Sequence, residues 1–426
     1  MRRVSASHCC SPVRAFPDGV GVKIPRSAVL AIDTAIVAAC SALILIVSAR
    51  VFKPEDLTAI TMSQLLVVTM VGLQRATFLT PAFASQRGTG RTVLPLRWLA
   101  WITLPTALLW SSVMPLLIPS GGLTYLQTFL LSVCVSFAAM AQDFLRFALF
   151  TRLRPTLTLV SDGSFLLLFC VLGVVLLVSG GMTWPALFLS WGVAAAGASC
   201  IAFLLVLMSA RESEKVANVR VRDVLRLGKW SGSDAALSGV ASLLPMAVST
   251  LALGSPVAAI YRVLQTANGP FNILSATFMT SAGMDAWKLG NVSEVKALRR
   301  RAVRQTFLLT VLSAGFYAIA YPLIMVAADF SSADAVRVAV ILGLSGVLGA
   351  ATIPFNAAAT AMGYQRVGFV VRVIVVVSAL GVSIFSLSGI WIPWNDPVGV
   401  VAIVSSIAGL VGWVVGYERG YRKELT

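Results

Sequence analysis

Ala138-Ala-Met-Ala-Gln-Asp-Phe-Leu-Arg-Phe-Ala-Leu-Phe-Thr-Arg-Leu-Arg-Pro155 is a run fit for the interior of a bilayer, interrupted by an acid and a base three residues apart. On a helix that spacing puts Asp143 and Arg146 on one face, close enough to pair, with Gln142 beside them. A charge at mid-helix costs about 2.5–3.5 kcal/mol on insertion scales, so such a face turns away from lipid toward a bundle interior or a wet cavity. The stretch therefore predicts a spanning helix that lines a polar interior.

The whole chain has the same character. Of its 426 residues, 58% are hydrophobic and 12% charged, and the mean hydropathy is +0.88. An ordinary soluble protein carries roughly 25% charged residues. Apolar runs of about 20 residues are long enough to cross a bilayer. They predict twelve spans, near 28–49, 57–79, 98–118, 123–149, 157–179, 183–209, 230–253, 256–284, 306–328, 334–361, 365–388 and 397–417. The predicted fold class is thus an all-α polytopic membrane protein.

The net charge of +16 raises the question of nucleic acid, and its distribution answers it. When the connections are alternated between the two sides, 27 of the 33 Lys and Arg fall on one side and 3 on the other; Arg75, Arg146 and Arg262 lie inside spans. That is the positive-inside pattern of a membrane protein. It excludes a nucleic-acid partner and predicts a multi-pass protein of the plasma (inner) membrane, with both termini cytoplasmic and membrane lipids around it.

Chemistry that needs histidine or clustered thiols is excluded as well. The one histidine, His8, lies in the N-terminal tail, and no C-x-x-C spacing occurs. No zinc site, His-dependent triad or other metal or cofactor is expected. Cys40, Cys134, Cys170 and Cys200 read as small core residues. Outer connections such as Pro119-Ser-Gly-Gly122 and Ser179-Gly-Gly181 are too short to carry a catalytic domain, so an enzyme is not expected.

Residues 211–229 divide the spans into two sets of six. The boundaries are a tail (1–26), an N-lobe (27–210), a linker (211–229), a C-lobe (230–417) and a C-terminal tail (418–426). Val216, Val219, Val224 and Leu227 recur at helical spacing in the linker, which predicts a helix lying in the cytoplasmic interface. Segment 33–49 matches 234–250 at six of 17 positions, Asp33/Asp234 among them. A 6+6 pseudo-repeat with both halves in one orientation implies two lobes around a central cavity.

The polar residues inside the spans are the candidate site. Arginine presents a permanently charged fork of donors that matches phosphate oxygens. Arg146 is a candidate headgroup ligand oriented by Asp143, with Gln142 beside it and Arg75 a second candidate. Asn268 and Asn272 flank a proline that interrupts a long apolar run, and Thr352-Ile-Pro-Phe-Asn356 does the same later; both prolines predict bends. Asp33, Asp162 and Asp234 are candidates for a coupling proton or sodium ion. Arg262, near the outer end of its span, reads as an interfacial anchor, and Gly343, Gly346 and Gly349 as a close-packing surface.

Three segments carry a family resemblance. Ser48-Ala-Arg-Val-Phe-Lys-Pro-Glu-Asp56 resembles the turn after the first span of polysaccharide-unit flippases, the Wzx-like branch of the multidrug/oligosaccharidyl-lipid/polysaccharide (MOP) exporter superfamily. Gln142-Asp-Phe-Leu-Arg146 with Arg152-Leu-Arg-Pro155 and Asp162 is similar to their fourth-to-fifth-helix segment. Ala361-Met-Gly-Tyr-Gln-Arg366 is similar to the turn after their tenth helix. The resemblance implies two six-helix lobes, alternating access, and a prenyl-diphosphate-linked saccharide as cargo, with polysaccharide-assembly enzymes as candidate partners. Arg146 and Arg75 would line the cavity. Two departures stand out: Lys53-Pro54 replaces the usual Gly-Pro, and four intramembrane aspartates oppose three arginines. A cation-coupled multidrug exporter and a non-transporting scaffold or polymerase are the competing readings.

Overall fold

The computed structural model describes residues 26–79, 81–82, 96–118, 123–151, 156–209, 221–253, 255–265, 268–269, 292–330, 332–361, 365–387 and 397–425. Their main helices follow the order the hydropathy predicts, and no strand occurs among them. These are α1 (Arg26–Val51), α2 (Pro54–Gln74), α3 (Leu104–Ser111), α4 (Tyr125–Thr151), α5 (Thr156–Val178) and α6 (Trp184–Ser209). They continue with α7 (Val221–Leu253), α8 (Ser255–Gln265), α9 (Val292–Ala327), α10 (Ala333–Ala361), α11 (Gln365–Leu387) and α12 (Pro397–Leu425). Among the described residues, nine helices are long and apolar enough to cross a membrane. Exposed Leu167, Val171, Val174 and Val178 on α5 leave an apolar surface that suits lipid and not water.

Within the first six helices, α4 and α5 pack on α6, α1 on α5, and α2 and α3 on α4. In the second six, α9 pairs with α10, α11 with α12 and α7, and α12 with α10. Two six-helix lobes result. They meet where α7 and α8 lie against α2, and where α8 touches α1. A cavity lies along that meeting line, lined from both lobes.

Several boundaries differ from the hydropathy reading. Helix α7 begins at Val221, so residues 221–229, expected to lie in the interface, are instead the first turns of a 33-residue helix. Helix α9 begins at Val292, and its basic segment continues straight into the span. Charged turns extend these helices beyond the apolar window because helix propensity does not stop where hydropathy falls. Pro354 does not end its helix, which runs unbroken to Ala361, and α9 likewise contains Pro322. Pro270, the other predicted break, lies outside the described residues.

The cysteine expectation is corrected. Cys40 is buried, but Cys134, Cys170 and Cys200 are exposed. In lipid an apolar exterior is as favourable as an apolar core, so hydrophobic surroundings in sequence do not imply burial. The glycine expectation holds at two of three positions. An added Cβ would meet Tyr321 at 3.4 Å from Gly343 and Tyr317 at 2.5 Å from Gly346, but nothing within 4 Å from Gly349.

Candidate functional site: a charged cavity between the lobes

Residues 138–151 form the C-terminal half of α4, and the polar face predicted for them exists. Gln142, Asp143 and Arg146 are 9%, 4% and 5% exposed, and all three line a cavity of about 670 Å³ between the lobes. The cavity also takes in Arg75, at the end of α2, and Asp162 of α5. Across it stand Ser238, Ser242, Arg262, Gln265 and Asn268 of the second lobe.

The N-lobe charges form one chain of contacts. Arg75 Nε donates to Asp143 Oδ1 at 2.9 Å and Oδ2 at 2.8 Å, and its Nη2 also reaches Oδ1. Asp143 Oδ1 lies 3.9 Å from Arg146 Nη1, the pair expected from the three-residue spacing. Arg146 Nε pairs more closely with fully buried Asp162, 3.2 Å from Oδ2, and Gln142 Nε2 donates to Asp162 Oδ1 at 3.3 Å. Two arginines and two aspartates therefore alternate, each acid between donors. In a low-dielectric interior this is how buried charge is tolerated.

Local backbone geometry sets up the Arg75 contact. After Gln74 the α-helix widens into a π turn over Arg75–Leu79, which adds a residue to the turn and shifts the register beyond it. A second π turn, Leu99–Thr103, precedes α3, and Gln74 Nε2 donates to Thr103 Oγ1 at 3.3 Å between them. The Arg75 guanidinium lies over Phe147, 5.7 Å from the ring centroid. Its side chain is 37% exposed, against 6% for Arg146. Of the two arginines, Arg75 is the one a ligand in the cavity can reach.

The second lobe supplies the group that the hydropathy reading places at the interface. Arg262 lines the cavity instead. Its Nη1 donates to Gln265 Oε1 at 2.8 Å, three residues on, while its Nε has no hydrogen-bond partner among the described residues. No carboxylate pairs with it among them. Asn268 Oδ1 accepts from Tyr317 Oη at 2.7 Å. Gly346 lets Tyr317 sit there, because its missing Cβ leaves room for the phenol ring.

One predicted residue falls elsewhere. Asp234 pairs with Arg372 of α11 at 3.3 Å, both side chains 29% exposed, in a contact within the C-lobe and not among the cavity-lining groups. Asp33 belongs to α1, but its side chain lies outside the described residues, as does Asn272. The Asp33/Asp234 correspondence thus has one arm in view.

No family model matches the chain, and no curated protein matches it. Solved structures do. An outward-facing multidrug resistance MATE family transporter of the MOP superfamily superposes with a TM-score of 0.66 at 14% identity, covering 94% of this chain and 95% of that one. The fold is that of the MATE transporters. An inward-facing structure of a MATE family transporter matches with a TM-score of 0.56 at 14% identity, over 95% and 96% of the two chains. A MOP superfamily transporter from Pyrococcus furiosus Vc1 (DSM3638), whose binding pocket is described as reversed in polarity, suggesting a different function, matches at 0.65 and 13% identity over 94% and 95%. At these identities the likeness establishes architecture and leaves cargo to the residues of the cavity.

Proposed function

We propose that the chain is an alternating-access transporter whose cargo is an amphipathic anion, a prenyl-diphosphate-linked saccharide. It carries this cargo from the cytoplasmic to the outer leaflet of the plasma (inner) membrane for surface polysaccharide assembly, with both termini cytoplasmic. One observation carries the choice of cargo. Among the described residues three arginines and two aspartates line the cavity, and the aspartates already neutralise Arg75 and Arg146, which leaves Arg262 with a neutral partner only. A diphosphate entering there finds a fork of charged donors with an unused edge, and half-exposed Arg75 on the facing lobe. Arg146 serves the site by holding Asp143 and Asp162 in place, more than by touching cargo.

A MATE-like, cation-coupled multidrug exporter is the second reading, favoured by the solved MATE structures of like fold. The cavity charge speaks against a cationic drug, and pocket polarity differs within this fold, as the Pyrococcus protein shows of itself.

The test is a lipid extract from cells lacking the protein, analysed by mass spectrometry. The proposal expects a completed prenyl-diphosphate saccharide to accumulate, with clearance by the wild type and not by Arg262→Gln. An unchanged lipid pool together with altered sensitivity to cationic drugs would replace it with the exporter reading.

A further inference from the structure

The lobes are bridged at both ends of the cavity, by unlike chemistry. At one end α7 lies on the π turn that continues α2. Ser231 Oγ donates to Ala76 O at 2.8 Å. A Cβ on Gly228 would collide with Thr77 O, one on Gly232 with Thr77 Oγ1, and one on Gly239 with Thr69 Cγ2. Only glycine permits this approach, so the seam is backbone against side chain with no space between.

At the other end a charged side chain caps an apolar contact between the lobes. Arg50, in the last turn of α1, donates through Nε to Ala327 O and through Nη2 to Val326 O at 3.2 Å. These are terminal carbonyls of α9, at the negative end of the helix dipole; Val326 O also accepts from Asp329 N at 3.3 Å. Beneath the bridge, Val263 and Ala328 of the C-lobe are buried in the core of α1 and α2, with Ile324 and Phe330 packed against it. Arg50 itself is exposed. Water can take over its hydrogen bonds as they break, so their net strength is low and the contact is reversible.

We propose that Arg50 is the latch of an outer gate, holding the end of α1 to the C-terminal carbonyls of α9 while the Gly228–Gly232 seam closes the cytoplasmic side. Opening outward releases Arg50 and leaves the seam intact; opening inward parts the seam and keeps the latch. The words outer and cytoplasmic rest on the orientation in the proposed function; the latch itself does not.

The test is labelling of Ser242→Cys, a cavity position, in the full-length protein freed of its other cysteines. A membrane-impermeant maleimide is added to intact spheroplasts and, separately, to inverted vesicles. Arg50→Ala is expected to raise the labelling rate from outside about fivefold, the equivalent of losing two exposed hydrogen bonds that water largely replaces. Gly232→Ala, which wedges the seam, is expected to raise labelling in inverted vesicles instead. Labelling of Arg50→Ala equal to its parent on both sides, in protein that remains monodisperse, overturns the latch. A rise confined to inverted vesicles keeps the latch and overturns the orientation. Gly232→Ala with unchanged labelling removes the seam from the gate.

Discussion

Substituting Asp162→Asn probes the charge chain at its most buried point. Asp162 is fully buried, and the Arg146 side chain is 6% exposed. In the variant, Arg146 loses its 3.2 Å carboxylate partner, while Asp143 at 3.9 Å is a carboxylate already bonded by Arg75. Breaking a buried pair while keeping one charge costs about 3–5 kcal/mol. The amide oxygen of Asn can still accept from Gln142, so the lower part of that range applies. Scaling the dependence of Tm on stability to a chain of this length gives a fall of roughly 3–8 °C. The assay is thermal unfolding in detergent, followed by tryptophan fluorescence. Removing the stranded cation as well, in Arg146→Gln/Asp162→Asn, should recover about 1–3 kcal/mol of the loss. An Asp162→Asn variant with unchanged Tm, or a double variant whose loss is the sum of the two single losses, would refute the reasoning.

Other consequences are local. Gly346→Ala drives a methyl into the Tyr317 ring and should destabilise by about 1–3 kcal/mol, whereas Tyr317→Phe removes its bond to Asn268 and should cost about 1 kcal/mol; both are read from melting curves. Asp234→Asn breaks a pair that is about a third exposed, so its effect on stability should stay near 1 kcal/mol, and clearance of the lipid-linked saccharide should persist. Loss of cation-driven drug efflux in that variant would point to the exporter. Arg262→Gln should weaken binding of a prenyl diphosphate about tenfold or more, as for a lost charge-assisted hydrogen bond, and Arg262→Lys by less, measured by native mass spectrometry.

Much of this is legible in the chain because lipid imposes simple rules. The twelve helices follow from apolar runs, and the Asp143–Arg146 face follows from one three-residue spacing, since both depend on near neighbours. The features that are not legible depend on packing across the chain. Asp143 takes its closest partner from Arg75, 68 residues earlier, through a π turn that no periodicity announces. Asp162 reads as an ion site because the sequence shows an isolated acid in an apolar run; its answering charge, Arg146, comes from another helix. Arg262 looks like an interfacial anchor from its position near a helix end. Only the meeting of α8 with α2 shows that the same position opens on the cavity. Gly228-Lys-Trp-Ser-Gly232 is a G-x-x-x-G spacing that signals close helix packing, but which helix it meets depends on what α7 faces.

The central claim is that the cavity moves an anionic headgroup across a bilayer, and reconstitution tests it most directly. Purified protein is placed in liposomes containing a prenyl-diphosphate saccharide, and sugar exposure on the outer surface is followed with membrane-impermeant periodate. The account predicts that the protected, inner-leaflet fraction becomes oxidisable at a rate that depends on the protein and falls severalfold in Arg262→Gln. A protected fraction that persists at the protein-free level, while the same vesicles transport a cationic drug, would contradict it.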